Sequence, residues 1–447
     1  MKLIKIRKGL NLKLKGEAIT EISKNPDTGV YAIFPDDFRN IKPRLLVKEG
    51  DTIEIGSPLF CNKQCPQQLY CAPISGQVTE IKRGERRKID FIKIQSDGKQ
   101  TAKSFDKVDV PSLGAQDVVD LLCKTGLLFG IKQRPYDIVA TPNVFPKRIF
   151  CSAFNKMPLS ADLAYVISQE KDSFQLGITL LSKIAPINIG ISPDEVDLLK
   201  DLQHSEVTIF SGKNPSGNVG VQINHTYPIN KGDVVWTIGP EELIQIGRFV
   251  KNGYLDFTRT IAFAGSMIKS PSYFKIVTGA SLTKVLKEQL YNEEKTRIIS
   301  GNPLIGTSIN TDSYLRAFVT EITAIPEGKD EIEFLGWIRP RTSQFSMNRS
   351  YFSWLFHHKQ YDLDARIKGG QRHMIMSGEY EKVFPMDIYP EPLVKAILAE
   401  DIEKMEALGI YEVSPEDFAL AEFVDSSKLE LQRIVRDGLD YLRKENE

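Results

Sequence analysis

The sequence predicts an α+β chain built from several domains, and three observations point there. Residues 1–105 carry short apolar runs punctuated by turns at Asn25-Pro26-Asp27, Glu49-Gly50-Asp51 and Asp97-Gly98. From Ser112 onward such runs alternate with stretches of helical periodicity, the pattern of an α/β unit. The C-terminal stretch keeps its apolar residues at helical spacing. With 447 residues the chain has room for about two to four domains. Hydrophobic content of 41% and charged content of 26% suit ordinary buried cores.

Within residues 1–105 the segment from Tyr70 to Gly84 is the most informative. Pro73 sets φ, Ser75-Gly76 can supply a turn with positive φ, and Val78 and Ile81 restart a strand that Gly84 ends. A partner segment runs from Val47 to Leu59, with Gly50 and Gly56 as its turns. Two such units in tandem resemble the halves of a barrel-sandwich hybrid, the fold of biotinyl and lipoyl carriers. A carrier would hold its cofactor on a hairpin lysine, and Lys63 stands where that lysine would sit. Its context, Cys61-Asn62-Lys63-Gln64-Cys65, is neither Met-Lys-Met nor Asp-Lys-Ala. Lys63 therefore reads as a surface lysine.

Residues 106–256 read as an α/β domain. Asp117 to Leu122 form a helix that Gly126 stops, and Phe174 to Ile184 and Asp194 to Leu202 are helical. Tyr136 to Ala140, Ala164 to Ile167 and Val207 to Phe210 read as strands. Gly126-Leu127-Leu128-Phe129-Gly130 could imitate a phosphate loop. It lacks the Gly-Lys-Ser/Thr ending of a P-loop, and bulky side chains fill positions where backbone would approach phosphate. Arg134-Pro135 can pin the chain and present a guanidinium.

Residues 257–345 read as a small β-grasp domain. Arg259 to Gly265 and Phe274 to Val277 are strands, Ser281 to Gln289 a helix, and Ile298 to Gly306 a strand ending in a Gly-rich turn. Alternation in Tyr314 to Ala324 and Glu331 to Ile338 predicts a further hairpin around Pro326-Glu327-Gly328. Residues 346–447 read as helical. Leu393, Ile397 and Leu398 mark one face, which Ile402, Met405 and Leu408 continue until Gly409. Ser414-Pro415-Glu416-Asp417 has cap, proline and acid at a helix start. Leu431, Ile434, Val435, Leu439 and Leu442 line the last helix.

Bulk composition excludes several classes. Lys+Arg and Asp+Glu both number 58, so the formal net charge is zero and nucleic acid is not an expected partner. Cys61, Cys65, Cys71, Cys123 and Cys151 form no metal pattern and read as buried thiols of a reducing compartment. His204, His225, His357, His358 and His373 make no ligand set, because adjacent His357 and His358 point apart in any regular element. The N-terminus has charges among its apolar residues and lacks a signal-peptide core, and no run is long enough to span a bilayer.

A whole-chain resemblance joins these pieces. Its marks are Ile6-Arg7-Lys8-Gly9-Leu10, Ala72-Pro73-Ile74-Ser75-Gly76 with Arg83-Gly84 and Arg86-Arg87, Gly126-Leu127, and Arg134-Pro135-Tyr136. They continue with Gly279-Ala280-Ser281-Leu282, Ile298-Ile299-Ser300-Gly301, Phe334-Leu335-Gly336-Trp337 and the run Tyr380 to Asp387. In order and spacing these resemble the alpha-subunit family of bacterial sodium-translocating NADH:quinone oxidoreductases. More distantly the chain is similar to the C subunit of the Rnf complex and the flavin-bearing subunit of complex I.

The resemblance implies a peripheral subunit on the cytoplasmic side of the bacterial inner membrane. It implies five partner subunits, integral membrane proteins among them. The assembled complex would use NAD, FAD, FMN, riboflavin and iron–sulfur to reduce ubiquinone or menaquinone and expel Na+. An SLBB-like β-grasp domain and a flavin-domain-like α/β unit are implied, the latter with Leu127, Leu128 and Phe129 where relatives carry a glycine-rich flavin loop. The C-terminal helices resemble a ferredoxin module without clusters. Met374, Ser377, Tyr380 and Phe384, then Pro415, Phe418, Ala421 and Asp425, occupy the places of cluster cysteines. No prosthetic group or metal is thus expected on this chain, and no catalytic residue of its own. Phe129, Arg134 and Tyr136 are the candidates for quinone contact. The competing readings are an Rnf-type electron-transfer flavoprotein and a soluble carrier-domain protein modified on Lys63.

Overall fold

The computed structural model describes residues 1–23, 29–329, 343–347, 349, 351–356 and 358–446. The turn expected at Asn25-Pro26-Asp27, the strand Glu331 to Ile338 with its mark Phe334 to Trp337, and His357 lie outside the described residues.

The N-terminal β module is a sandwich of two antiparallel sheets. One orders Val30–Ile33, Ile89–Ser96, Gly76–Arg83 and Thr52–Ile53, and the other Pro43–Leu45, Pro58–Asn62 and Cys65–Cys71. Leu59, Phe60, Val78, Ile92 and Ile94 are buried in one core. Gly76 is required by close approach, since a Cβ there would stand 2.0 Å from the Gln95 carbonyl oxygen. Lys63 is exposed between the strands Pro58–Asn62 and Cys65–Cys71, as a surface lysine should be.

The chain's first strand, Lys2–Ile6, does not belong to this sandwich. It pairs in parallel with Glu206–Gly212, at the edge of a seven-stranded sheet. That sheet continues through Ile187–Ile191, Ile149–Ser152, Val235–Ile238, Ile131–Arg134 and Ile138–Val139, the last two antiparallel. Its helices Lys171–Leu181 and Pro240–Asn252 pack closely. Cβ atoms on Gly177 and Gly247 would lie 2.2 Å and 1.7 Å from backbone oxygens of Leu243 and Ser173. The helix Ala115–Thr125 ends at Gly126, with φ of 80°.

Two expectations for this unit fail locally. Ala164 to Ile167 lie in the helix Leu163–Gln169, not in a strand. The Asp162 carboxylate accepts a bond from the Tyr165 amide at 3.0 Å and caps that helix. Of Tyr136 to Ala140 only Ile138–Val139 is extended with a ladder partner. Tyr136 has φ of 82° and follows the cis Arg134–Pro135 bond, so it turns the chain.

The third unit is a five-stranded β-grasp sheet with one helix, Thr283–Gln289. The strand order is Ser272–Val277, Thr258–Ala264, Glu321–Pro326, Thr296–Ser300, Thr307–Ile309. Of the segment Tyr314 to Ala324, the residues from Glu321 onward belong to this sheet, and the other half of the expected hairpin lies outside the described residues. Glu321–Pro326 is the central strand, parallel to Thr258–Ala264, and its residues from Glu321 to Ile325 are buried.

The C-terminal helices are Pro390–Leu398, Ile402–Ala407, Ala419–Val424 and Leu431–Asn446. They bury Leu393, Ile397, Met405, Leu431, Val435 and Leu439. Leu398 falls outside that face at 55% exposure. The same cluster takes in Ile6, Phe150, Phe210 and Val221 from the seven-stranded sheet and its helix.

Candidate functional site

Three modules meet at one small aromatic cavity. The β sandwich supplies Phe38 and Tyr70, the α/β unit Leu127, Phe129 and the helix residues Glu242 and Gln245, and the β-grasp unit Phe257, Arg259 and Phe318. The rings lock together. Phe60 and Tyr70 stack at 4.9 Å and 8°, while Phe129 meets Phe38 edge-on at 5.0 Å and Tyr70 at 5.4 Å. Phe318 closes the outer side, 5.8 Å from Phe38. The cavity has a volume of about 40 Å³, room for a water molecule or a carbonyl group.

Polar atoms in this apolar setting are few and underused. Arg259 is buried and donates through Nη1 to Glu242 Oε1 at 2.6 Å, but its Nε and Nη2 have no partner among the described residues. Gln245 is buried, and its Nε2 has no partner among the described residues. Burial works against the charge on Arg259, and Glu242 and Glu241 outweigh it, so the guanidinium stays protonated. Behind it, Glu241 accepts from the Thr260 amide at 2.9 Å through Oε1 and leaves Oε2 bare. Burial pushes the Glu241 carboxyl up to about 7 against the pull of Arg259. Two orphan donors beside an aromatic wall suit an acceptor oxygen carried on a planar ring.

Of the three residues expected to contact quinone, only Phe129 lines this cavity. Arg134 is 1% exposed and committed elsewhere. Its Nη1 donates to Asp417 Oδ2 at 3.2 Å and its Nη2 to Ser414 Oγ and Glu416 Oε1, both at 2.9 Å. It thus ties the α/β sheet to the capping box Ser414-Pro415-Glu416-Asp417 of the C-terminal module. Tyr136 belongs to the same joint. Its carbonyl accepts from Arg436 Nη2 at 2.5 Å and its ring meets Tyr411 at 6.4 Å. Beside them Asp137 is held below the usual carboxylate range, because Lys132, Arg134, Arg436 and Arg39 together outweigh its burial. Arg259 and Gln245 escaped the sequence reading. The available signal was an arginine near the start of the apolar run Thr260 to Ala264.

Family models match the chain in three places. They are the NqrA N-terminal barrel-sandwich hybrid domain over residues 4–97, the NqrA second alpha/beta domain over 113–255, and the NQRA C-terminal domain over 260–311. The A subunit of the Na(+)-translocating NADH-quinone reductase of Yersinia pestis bv. Antiqua (strain Angola) is 32% identical over 448 residues, covering 99% of this chain and 100% of the relative. This chain belongs to the NqrA family. The protein of the same name from Cellvibrio japonicus is 33% identical over 449 residues, with 99% and 100% covered. The one from Rhodopirellula baltica is 32% identical over 448 residues, with 99% and 98% covered.

In this NqrA-family chain, side chains occupy most of the places compared above with cofactor ligands. Leu127, Leu128 and Phe129 are buried in the loop that resembles a flavin loop. Tyr380, Phe384, Phe418 and Ala421 are buried in one cluster, with the Phe384 and Phe418 rings 5.0 Å apart. Asp425 is buried and accepts from the amides of Ser427 and Leu429 at 3.1 Å and 2.8 Å. Met374 and Pro415 are half-buried and Ser377 is exposed. All five cysteines are buried free thiols, and burial pushes Cys71 and Cys123 up to about 12. His225 Nδ1 lies 2.9 Å from the Val221 carbonyl, within its own helix. Among the described residues no three His, Cys, Asp or Glu side chains are grouped to hold a metal.

Proposed function

We propose that this chain is a peripheral subunit of a membrane complex that oxidises NADH, reduces ubiquinone or menaquinone and expels Na+ from the cytoplasm. It works on the quinone side of that complex, in docking and structure, without a prosthetic group of its own. NAD, FAD, FMN, riboflavin and iron–sulfur serve the five partner subunits, and the chain sits on the cytoplasmic face of the inner membrane. Full-length similarity to NqrA-family proteins supports this reading. Among the described residues no helix is long and apolar enough to cross a membrane.

The observation that carries the quinone-side role is the pair of orphan donors, Arg259 and Gln245, facing an aromatic wall that includes Phe129. A quinone offers a flat ring and carbonyl oxygens, which those two features complement. At about 40 Å³ the cavity takes a carbonyl oxygen as it stands, and admitting the ring would require half-buried Phe318 to move outward. Arg134 and Tyr136 support the site from the neighbouring joint without touching the ring. The test is titration of the purified chain with ubiquinone-1. Saturable binding is expected, weakened roughly tenfold by Gln245→Leu, which removes one donor at nearly constant shape. Absence of saturable binding would sink the quinone-side role.

A further inference from the structure

A basic recess and an exposed aromatic loop lie side by side. The recess has a volume of about 400 Å³ and is lined by Gly9, Lys213, Met347, Arg349, Lys382 and Val383 among others, and no carboxylate lines it among the described residues. It opens beside the carboxyl end of the strand Lys2–Ile6, where Leu10 N donates to the Asn214 carbonyl at 2.8 Å. Lys382 also pairs with Glu379 at 2.6 Å, and Lys213 has no ion pair among the described residues. The buried Asn214 side chain finds no partner for either of its amide atoms among the described residues.

Arg349 joins the recess to the loop, since its guanidinium sits 5.5 Å from the Trp354 ring centroid. Phe352, Trp354, Leu355 and Phe356 are 43%, 43%, 53% and 45% exposed, a run of large apolar side chains that soluble surfaces avoid. Buried Ser353 accepts from the Ser346 amide at 3.1 Å and donates to the Ser346 carbonyl at 2.9 Å. Farther on, Tyr361 N donates to the Lys13 carbonyl at 2.8 Å and the Tyr361 carbonyl accepts from Lys15 at 3.0 Å. These bonds tie Ser353 and Tyr361, on either side of the exposed run's end, to the body of the chain. Lys359 lies 5.7 Å from the Phe356 ring, placing another cation at its rim.

We infer that this face docks on an anionic phospholipid bilayer. The Phe352–Phe356 run enters the headgroup region, and Lys213, Arg349 and Lys382 meet lipid phosphates. Aromatic side chains tipped into the interface with lysine and arginine around them satisfy both demands of such a surface, apolar area and positive charge. The inference is independent of the quinone cavity, which shares no residue with this face.

The test is flotation of the full chain with protein-free vesicles. Wild-type protein should float with vesicles of equal parts phosphatidylcholine and phosphatidylglycerol, remain behind with phosphatidylcholine alone, and be released by salt. Lys213→Glu and Trp354→Ser, both surface changes, should each lower flotation by about fivefold or more while the melting temperature holds. Equal flotation with both vesicle types, or unchanged flotation of both variants, would overturn the proposal. Release by inorganic phosphate beyond that of ionic-strength-matched chloride would mean a soluble phosphate site instead. Binding only to vesicles that contain membrane proteins would mean a protein partner, and would overturn it equally.

Discussion

Glu241 is a residue whose acid chemistry changes on folding. Its carboxyl rises from an ordinary 4.5 to about 7 because it is buried, and its bare Oε2 suits a protonated acid. A raised carboxyl pKa lets the folded chain hold a proton that the unfolded chain has lost. The stability linked to it is fully present below pH 4.5 and disappears as pH rises through about 7. Glu241→Gln should therefore flatten the pH dependence of stability across that window and stabilise the chain above it by on the order of a few kcal/mol. Urea denaturation across pH reads this, and parallel curves for the two proteins would contradict it. Arg134 makes the opposite case. Arg134→Ala strands buried Asp417 and should lower stability by roughly 3–5 kcal/mol. Ubiquinone-1 affinity of the folded fraction should not move; a fall in affinity with unchanged melting temperature would put Arg134 in the quinone site. Phe129 was legible because it sits in a loop whose bulk is unusual. Arg259 and Gln245 were not, because neither lies near Phe129 in sequence and only tertiary packing brings them together.

At the scale of elements, turns and caps were legible and sheet partners were not. Gly126, Gly409 and the Ser414 capping box stand where local chemistry puts them. The strand Lys2–Ile6 has the alternation of any edge strand, and nothing in five residues says which sheet will take it. Leu163–Gln169 was misread because its aromatic and β-branched run favours strands, while one side-chain cap at Asp162 decides for helix. Glu321–Pro326 was separated from its sheet because its partners, Thr258–Ala264 in parallel and Thr296–Ser300 antiparallel, are both distant in sequence and no tight turn marks either pairing. Two substitutions test the packing of elements. Gly247→Ala drives a methyl into the Ser173 carbonyl and should destabilise by about 1–3 kcal/mol as two helices separate. Phe384→Ala opens a hole opposite Phe418 and should destabilise by roughly 3–5 kcal/mol. Chemical denaturation measures both, and a neutral Gly247→Ala would refute the close helix contact.

At the scale of the molecule, three modules share the cavity and the fourth is clamped on by Arg134 and Arg436. The barrel-sandwich segment Ala72 to Gly76 keeps its shape, and its hairpin lysine stands exposed in a non-carrier context. An intact mass of the chain without an increment on Lys63 is expected, and a lipoyl- or biotin-sized increment would restore the carrier reading. The most direct measurement is affinity purification of the tagged full-length chain from the membranes of its own cells. The account predicts that integral membrane subunits and NADH:quinone reductase activity dependent on Na+ come with it. Recovery of the chain alone, with that activity left behind in the membranes, would contradict it.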